Sequence, residues 1–193
     1  MQYYKLDFHQ EVDPVVRHLA TVMRGPGLAS SNRPRYVLLI QRQNRRILNR
    51  QELIGALQDR GCPVQVVSAE SVTLDEMIHL VSGAAVLLGV HGAGLTNLVF
   101  LDERASVVEV RLPFGPTEQD AEYCGTHDGS IHEMVIFHNL ALAAGVVWNC
   151  YDPPWTLNKQ QVDQHKPPRQ RDAIVDVNEL AQLIHNEFHR VIS

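Results

Sequence analysis

The sequence predicts an α/β fold: a doubly wound, mostly parallel sheet of five strands with helices on both faces. Two observations carry this. Short apolar runs alternate along the chain with stretches of helical periodicity, many of which open on a capping-box pair and close on glycine. In addition, one apolar run ends in a glycine turn that leads straight into further apolar sequence, as at a strand-to-helix junction.

The elements follow in order. Asp13-Pro14 reads as an N-cap with proline in the first helical position, and Val15, Val16, Leu19, Val22 and Met23 then recur at helical spacing. Gly25-Pro26-Gly27 ends that helix, and a loop to Arg33-Pro34 leads into a first strand, Tyr36 to Ile40. Asn49 to Glu52 has the capping-box arrangement, with Leu53, Ile54 and Leu57 as the apolar face and Gly61 as the stop. Val64 to Val67 makes the second strand. Thr73 to Glu76 opens the next helix, through Met77, Ile78, Leu80 and Val81, and Ala84 to Val90 is the third strand. Val107 to Val110 is the fourth. A long polar loop, Phe114 to Gly129, precedes a third capping box at Ser130 to Glu133, with Met134, Phe137, Leu140 and Leu142 behind it. Val146 to Trp148 is the fifth strand. Pro153 to Arg171 has no periodicity, and an amphipathic helix from about Val177 closes the chain through Leu180, Leu183, Ile184 and Phe188.

This divides the chain into an arm and helix (1–34), a Rossmann-like domain (35–152), and a polar connection with a helix that packs back on the domain (153–193). Crossovers should be right-handed, and the strand order expected is 3-2-1-4-5. The 193 residues suit one domain, or one domain with arms, and at 45% apolar they can build a real core. A net charge of −5 argues against a dedicated nucleic-acid binder. No apolar stretch reaches the ~20 residues of a membrane-spanning helix, and MQYYKLDFHQ has no apolar signal region. Three cysteines, Cys62, Cys124 and Cys150, are too few for a disulfide framework. Small buried residues are their commoner reading, and one pair stays open in an oxidising compartment.

The chemistry concentrates at Val90-His91-Gly92-Ala93-Gly94-Leu95-Thr96-Asn97. Glycines let a backbone come close to a ligand, and a helix starting near Leu95 would aim its unpaired N–H groups at it. An anion, most naturally a nucleotide diphosphate, is the expected guest. Three hydrogen-bonding side chains at this turn, His91, Thr96 and Asn97, exceed what a merely tight turn needs. In a doubly wound sheet the ligand lies beyond the carboxyl ends of the strands. Those ends carry Arg42, Ser68, His91, Glu109 and Asn149. Arg42, Arg45 and Arg46 can neutralise a diphosphate, and arginine forks do so bidentately. Glu109 sits in the apolar strand VVEV and needs partners if buried. Ribose hydroxyls would serve; water or Arg111 is the alternative. His91 either touches the donor or locks the turn through backbone carbonyls. Asn49 is read as a helix cap before a ligand contact. His127, His132 and His138 match no zinc pattern, so no metal site is expected. Trp148, Tyr151 and Trp155 are read as core and rim residues.

LLGVHGAGLTN followed by SVVEVRLP, with LLIQR through RRILN upstream, resembles the family 61 glycosyltransferases. The resemblance runs from about His9 to the C-terminus and implies the nucleotide-sugar-binding half of a GT-B type enzyme. That enzyme would transfer a sugar from a UDP-sugar or similar donor to a hydroxyl of a glycan or protein, with inversion. It implies donor contacts from Arg42, Arg46, His91, Gly92, Ala93, Gly94, Leu95, Thr96, Asn97 and Glu109. His91 is the catalytic candidate within the chain, and the base is expected outside it. No obligatory metal or other cofactor is implied, since arginines and a helix terminus can hold the departing charge. An acceptor-binding N-terminal domain or partner chain would complete the site. Localisation stays open: cytoplasmic if the chain is complete, the secretory-pathway lumen if it is a fragment. A non-catalytic nucleotide or nucleotide-sugar binding module is the alternative. A dinucleotide-dependent oxidoreductase fits less well, because the glycine turn follows strand three and has no acidic ribose ligand ~20 residues on.

Overall fold

A computed structural model describes residues 35–112, 124, 136–159 and 171–193, with isolated positions between 14 and 22. The helix expected over Val15 to Met23, the polar loop Phe114 to Gly129 and the capping box Ser130 to Glu133 fall largely outside these residues.

Five strands, β1 (Tyr36–Gln41), β2 (Val64–Ser68), β3 (Ala84–Val90), β4 (Ser106–Val110) and β5 (Val147–Tyr151), form one sheet. Every pairing is parallel. Between them run helices α1 (Arg50–Asp59), α2 (Leu74–Gly83), α3 (Ile136–Ala144) and the short α4 (Trp155–Asn158), with α5 (Val177–Ile192) last. Leu53 and Leu57 of α1 share one core with Leu180, Ile184 and Phe188 of α5 on one face of the sheet. Met77, Ile78 and Val81 of α2 share a second core with Phe137 and Ala141 of α3 on the other. The sheet is therefore doubly wound.

The strand order is β2-β1-β3-β4-β5, not the 3-2-1-4-5 expected. Strand composition explains it. All seven residues of β3 are buried, and each Leu or Val kept from water there is worth about 1.5–3 kcal/mol. That strand belongs in the middle, covered by helices on both faces. In β2, Gln65 and Val66 are exposed, as an edge strand tolerates. The exchange puts β1 directly beside β3. The reversal of winding, and with it the crevice, then falls between the carboxyl ends of these two strands.

Local signals are realised unevenly. The Thr73–Glu76 capping box forms in full at α2. The Asn49–Glu52 box does not, although Asn49 occupies the N-cap position of α1. Its side chain instead donates to the carbonyl of Val175 (2.8 Å) and accepts from the Val175 N–H (3.1 Å). That pairs it like a peptide group with a segment 126 residues away. The same segment bridges Ile47 through Ala173 and pairs with Asn158, whose amide carbonyl takes the Ile174 N–H. Asp176 then caps α5 by accepting from Asn178 and Glu179 N–H groups. The C-terminal strap thus fastens the loop that follows β1.

Two of the three cysteines, Cys124 and Cys150, form a disulfide, and Cys62 is a buried free thiol. The bridge ties residue 124 to β5, where its N–H also donates to Asp152 (2.7 Å). No helix among the described residues is long and apolar enough to cross a membrane.

Candidate functional site

The glycine turn closes the carboxyl end of β3. His91 N–H donates to Val110 O (2.8 Å), carrying the β3–β4 ladder one step past the strands. Gly92 follows at φ 153°, a conformation that L side chains rarely adopt. The chain then enters a 3-10 helix, Ala93–Phe100, rather than the α-helix expected from Leu95. The reason is local. Thr96 Oγ1 donates to Ala93 O (2.7 Å) and Asn97 Nδ2 to Gly94 O (2.9 Å). Each side chain takes a carbonyl three residues back, and the Leu95 N–H reaches Gly92 O in the same i→i−3 pattern. Leu95 itself packs against β3 at Gly89, where a Cβ would stand 2.9 Å from its Cδ2.

Beneath the turn lies a buried polar cluster. Glu109 and Arg111 alternate onto the same face of the β4 chain, and both are almost wholly buried. Glu109 Oε1 receives Arg111 (2.8 Å) and contacts His91 Nδ1 (2.5 Å), while Oε2 accepts the Trp148 indole N–H (2.9 Å). Burial is the largest single influence on this carboxyl and pushes its pKa up. The hydrogen bonds from His91, Trp148 and Arg111, with the Arg111 charge, outweigh it and hold the group below the usual glutamate range. An ionised Glu109 fixes a proton on His91 Nδ1, so in neutral imidazole the lone pair lies on Nε2. Phe137 meets the imidazole edge-on, 5.3 Å between centroids.

The partners that a buried carboxylate at 109 requires are therefore protein groups. The Arg111 pairing is present, and the carboxylate does not face water. Trp148, read from sequence as packing, is one of its hydrogen-bond donors. Residues 109 and 111 share strand parity, which puts the carboxylate and the guanidinium on one face, the pairing that the sequence offers as the alternative to ribose.

The lowered pKa gives a pH dependence with a definite sign. A carboxylate depressed on folding stabilises fully above its unfolded value, 4.5, and loses that contribution as pH falls through the lower folded value. Urea midpoints between pH 7 and 3 should hold steady to about pH 4.5 and then drop. In Glu109→Gln the same titration should show a shallower fall below pH 4.5.

Arginines from the β1 loop converge on the turn. A Cβ on Gly92 would stand 2.7 Å from Arg45 NH1 and 3.0 Å from Arg42 NH1. Arg45 holds φ 61°, uncommon for a residue with a side chain, and donates to His91 O at 2.6 Å. Arg42 lies 3.9 Å from Glu70, which Ser68 Oγ also holds (2.9 Å). Arg46 is turned to Asp172 of the strap, at 2.9 Å through its guanidinium and 2.7 Å through its N–H. Of the basic residues in this loop, Arg42 and Arg45 overhang Gly92. Arg46 nevertheless lines, with Arg45 and Arg50, a small cavity at the ends of β1 and β3. Asn149 lies in the middle of β5, opposite Val108, rather than at the strand's end as expected, and its Nδ2 is buried with no hydrogen-bond partner among the described residues. His138 stacks at a tilt on Trp148, 5.0 Å between centroids, and His127 and His132 lie outside the described residues. Two groups among the described residues have the spacing of metal ligands. One, Cys124, Cys150 and Asp152, has its sulfurs spent in the disulfide; the other, Cys62, His185 and His189, lies apart from the turn.

The family model for glycosyltransferase 61 matches residues 5–108, just over half of the chain. The chain belongs to the glycosyltransferase 61 family. An alpha-1,3-arabinosyltransferase of Oryza sativa subsp. japonica is 34% identical over 84 residues, 43% of this chain and 14% of the relative. A beta-1,2-xylosyltransferase of the same organism is 40% identical over 83 residues, with the same coverage of each chain. The protein O-linked-mannose beta-1,4-N-acetylglucosaminyltransferase 2 of Homo sapiens is 43% identical over 77 residues, 39% of this chain and 13% of that one. The matched segment thus spans about one seventh of the length of these curated relatives. Among solved structures, a diflavin flavoprotein A3 from Nostoc sp. superposes with a TM-score of 0.48 at 13% identity. That match covers 82% of the family 61 chain and 96% of the flavoprotein, and it bears on no functional reading.

Proposed function

We propose that this chain supplies the donor-binding half of an inverting glycosyltransferase of GT-B type, taking a nucleotide-diphosphate sugar such as a UDP-sugar. The observation that carries the reading is the convergence of Arg42 and Arg45 over Gly92, beside a histidine whose Nδ1 is held by a buried carboxylate. Family membership supplies the reaction class: a hydroxyl of a glycan or protein attacks the anomeric carbon, and the bond to the diphosphate breaks. Negative charge grows on the departing diphosphate. Guanidinium groups already placed there stabilise it without reorganising. His91 reaches the donor through Nε2, the nitrogen that Glu109 does not engage: neutral, it accepts from a hydroxyl of the transferred sugar, and with a second proton it donates to the diphosphate. Glu109 acts through His91 rather than on the nucleotide, and Gly92, Ala93 and Gly94 give close backbone approach. Leu95 shapes the turn from within, and Thr96 and Asn97 brace it. The base that takes the acceptor proton belongs to an N-terminal domain or partner beyond this sheet.

Calorimetric titration of UDP into the purified chain tests the donor site. Saturable binding is expected without added metal, and Arg42→Ala with Arg45→Ala should weaken it by about 10- to 100-fold, as for two charge-assisted contacts of ~0.7–1.4 kcal/mol each in part-exposed positions. Binding that ignores both substitutions would remove the diphosphate from the turn. Binding without transfer, when an acceptor and the acceptor-binding half are supplied, would leave a non-catalytic nucleotide-binding module.

A further inference from the structure

At the amino-terminal end of the sheet, away from the glycine turn, three residues outside the proposed chemistry come together. Cys62 lies in the connection between α1 and β2, wholly buried. His185 and His189 stand four residues apart on α5 and so project from one face of that helix. Cys62 Sγ is 3.8 Å from His185 Nδ1, and the two imidazole centroids are 4.3 Å apart. One ligand atom from each of the three lies within 4.8 Å of the other two.

We propose that Cys62, His185 and His189 form a three-ligand site for Zn²⁺ or a similar borderline-soft divalent cation. Tetrahedral zinc with bonds of about 2.3 Å to sulfur and 2.0–2.1 Å to nitrogen sets its ligand atoms roughly 3.5 Å apart. The Cys62–His185 separation is within a few tenths of an ångström of that, so ordinary side-chain torsions close the site. One thiolate and two imidazoles are a donor set that suits zinc over magnesium or calcium. The cluster grades from the buried sulfur through half-buried His185 to exposed His189, which gives an entry path and leaves the fourth position to water. On coordination the thiol proton passes to solvent and the thiolate binds the cation, with no change of oxidation state. The bound ion would clamp the last turns of α5 to the α1–β2 connection, independently of any donor at the glycine turn.

Cobalt(II) titration of the tag-free chain, with the disulfide intact and no reductant, tests this. Cys62 is then the one free thiol among the three cysteines, so a thiolate-to-cobalt charge-transfer band must come from it. One equivalent is expected, with that band in the near ultraviolet, visible bands of tetrahedral intensity, and displacement of both by Zn²⁺. The charge-transfer band should vanish in Cys62→Ser. In His189→Gln, an exposed position where folding is not at risk, affinity should fall at least tenfold. Zinc at a hundredfold over its Kd should raise the Tm by about 5–10 °C. Cobalt bound without a thiolate band, an affinity indifferent to His189→Gln, or no uptake below 100-micromolar metal (roughly the upper end of site affinities worth the name) would each overturn the site.

Discussion

Glu109→Ala is expected to cost about 3–5 kcal/mol of folding stability, because it leaves the Arg111 guanidinium buried without its carboxylate. The same change strips an acceptor from the Trp148 indole and from His91 Nδ1, which keeps Arg111 NH1 at 3.2 Å as a neighbour. Urea denaturation reads the loss; a decrease under 1 kcal/mol would mean that Arg111 finds other compensation. Glu109→Gln separates positioning from stability. A glutamine amide can donate to Nδ1, which sends the imidazole proton to Nε2. Nitrogen-15 chemical shifts of His91 should report that change of tautomer in a folded protein. Transfer by the completed enzyme should fall by about 10²- to 10⁴-fold, the usual span for losing a correctly protonated group. An unchanged tautomer would reduce Glu109 to a structural residue.

The second large effect concerns the disulfide. With its cysteines 26 positions apart, the chain-entropy relation puts its contribution at about 3–4 kcal/mol. The paired replacement Cys124→Ser with Cys150→Ser, or dithiothreitol on the parent, should lower the unfolding free energy from urea denaturation by that amount. The bridge belongs to an oxidising setting, so a midpoint indifferent to reductant would show that the pair is not joined in solution. Cys150 lies two residues from Trp148, and the bridge encloses α3 and most of β5. Donor affinity is a second readout of the same variant.

Much of the architecture was legible because local patterns agreed with their surroundings. The β3 run AAVLLGV could only be a fully covered strand, and Thr73-x-x-Glu76 a helix start. The strand order was misjudged by treating all strands alike. Comparing AAVLLGV with VQVVS already separates a central strand from an edge one. Two site features were beyond local reading. Asn49 has a capping residue's chemistry, yet a backbone segment far along the chain offers it two hydrogen bonds and takes its side chain. Arg45 and Arg46 are interchangeable as text. A left-handed backbone at 45 turns its guanidinium over the glycine, whereas Asp172 draws Arg46 to the strap. Such choices rest on tertiary geometry that adjacent residues do not encode. His91 and Glu109, eighteen positions apart, are joined only by the parallel register of β3 with β4.

The strap over residues 171–176 carries a consequence for the order in which the protein can be made. The loop after β1 is hydrogen-bonded to Asp172, Ala173 and Val175, which a ribosome adds more than a hundred residues after Arg42 to Asn49. While the nascent chain is still growing, the sheet's central strands can be complete, yet the arginine loop has nothing to fasten to. The end of the sheet that carries the arginine loop is therefore finished only once residues 171–176 have been added, and a chain halted before residue 171 carries the glycine turn without its finished opposite wall.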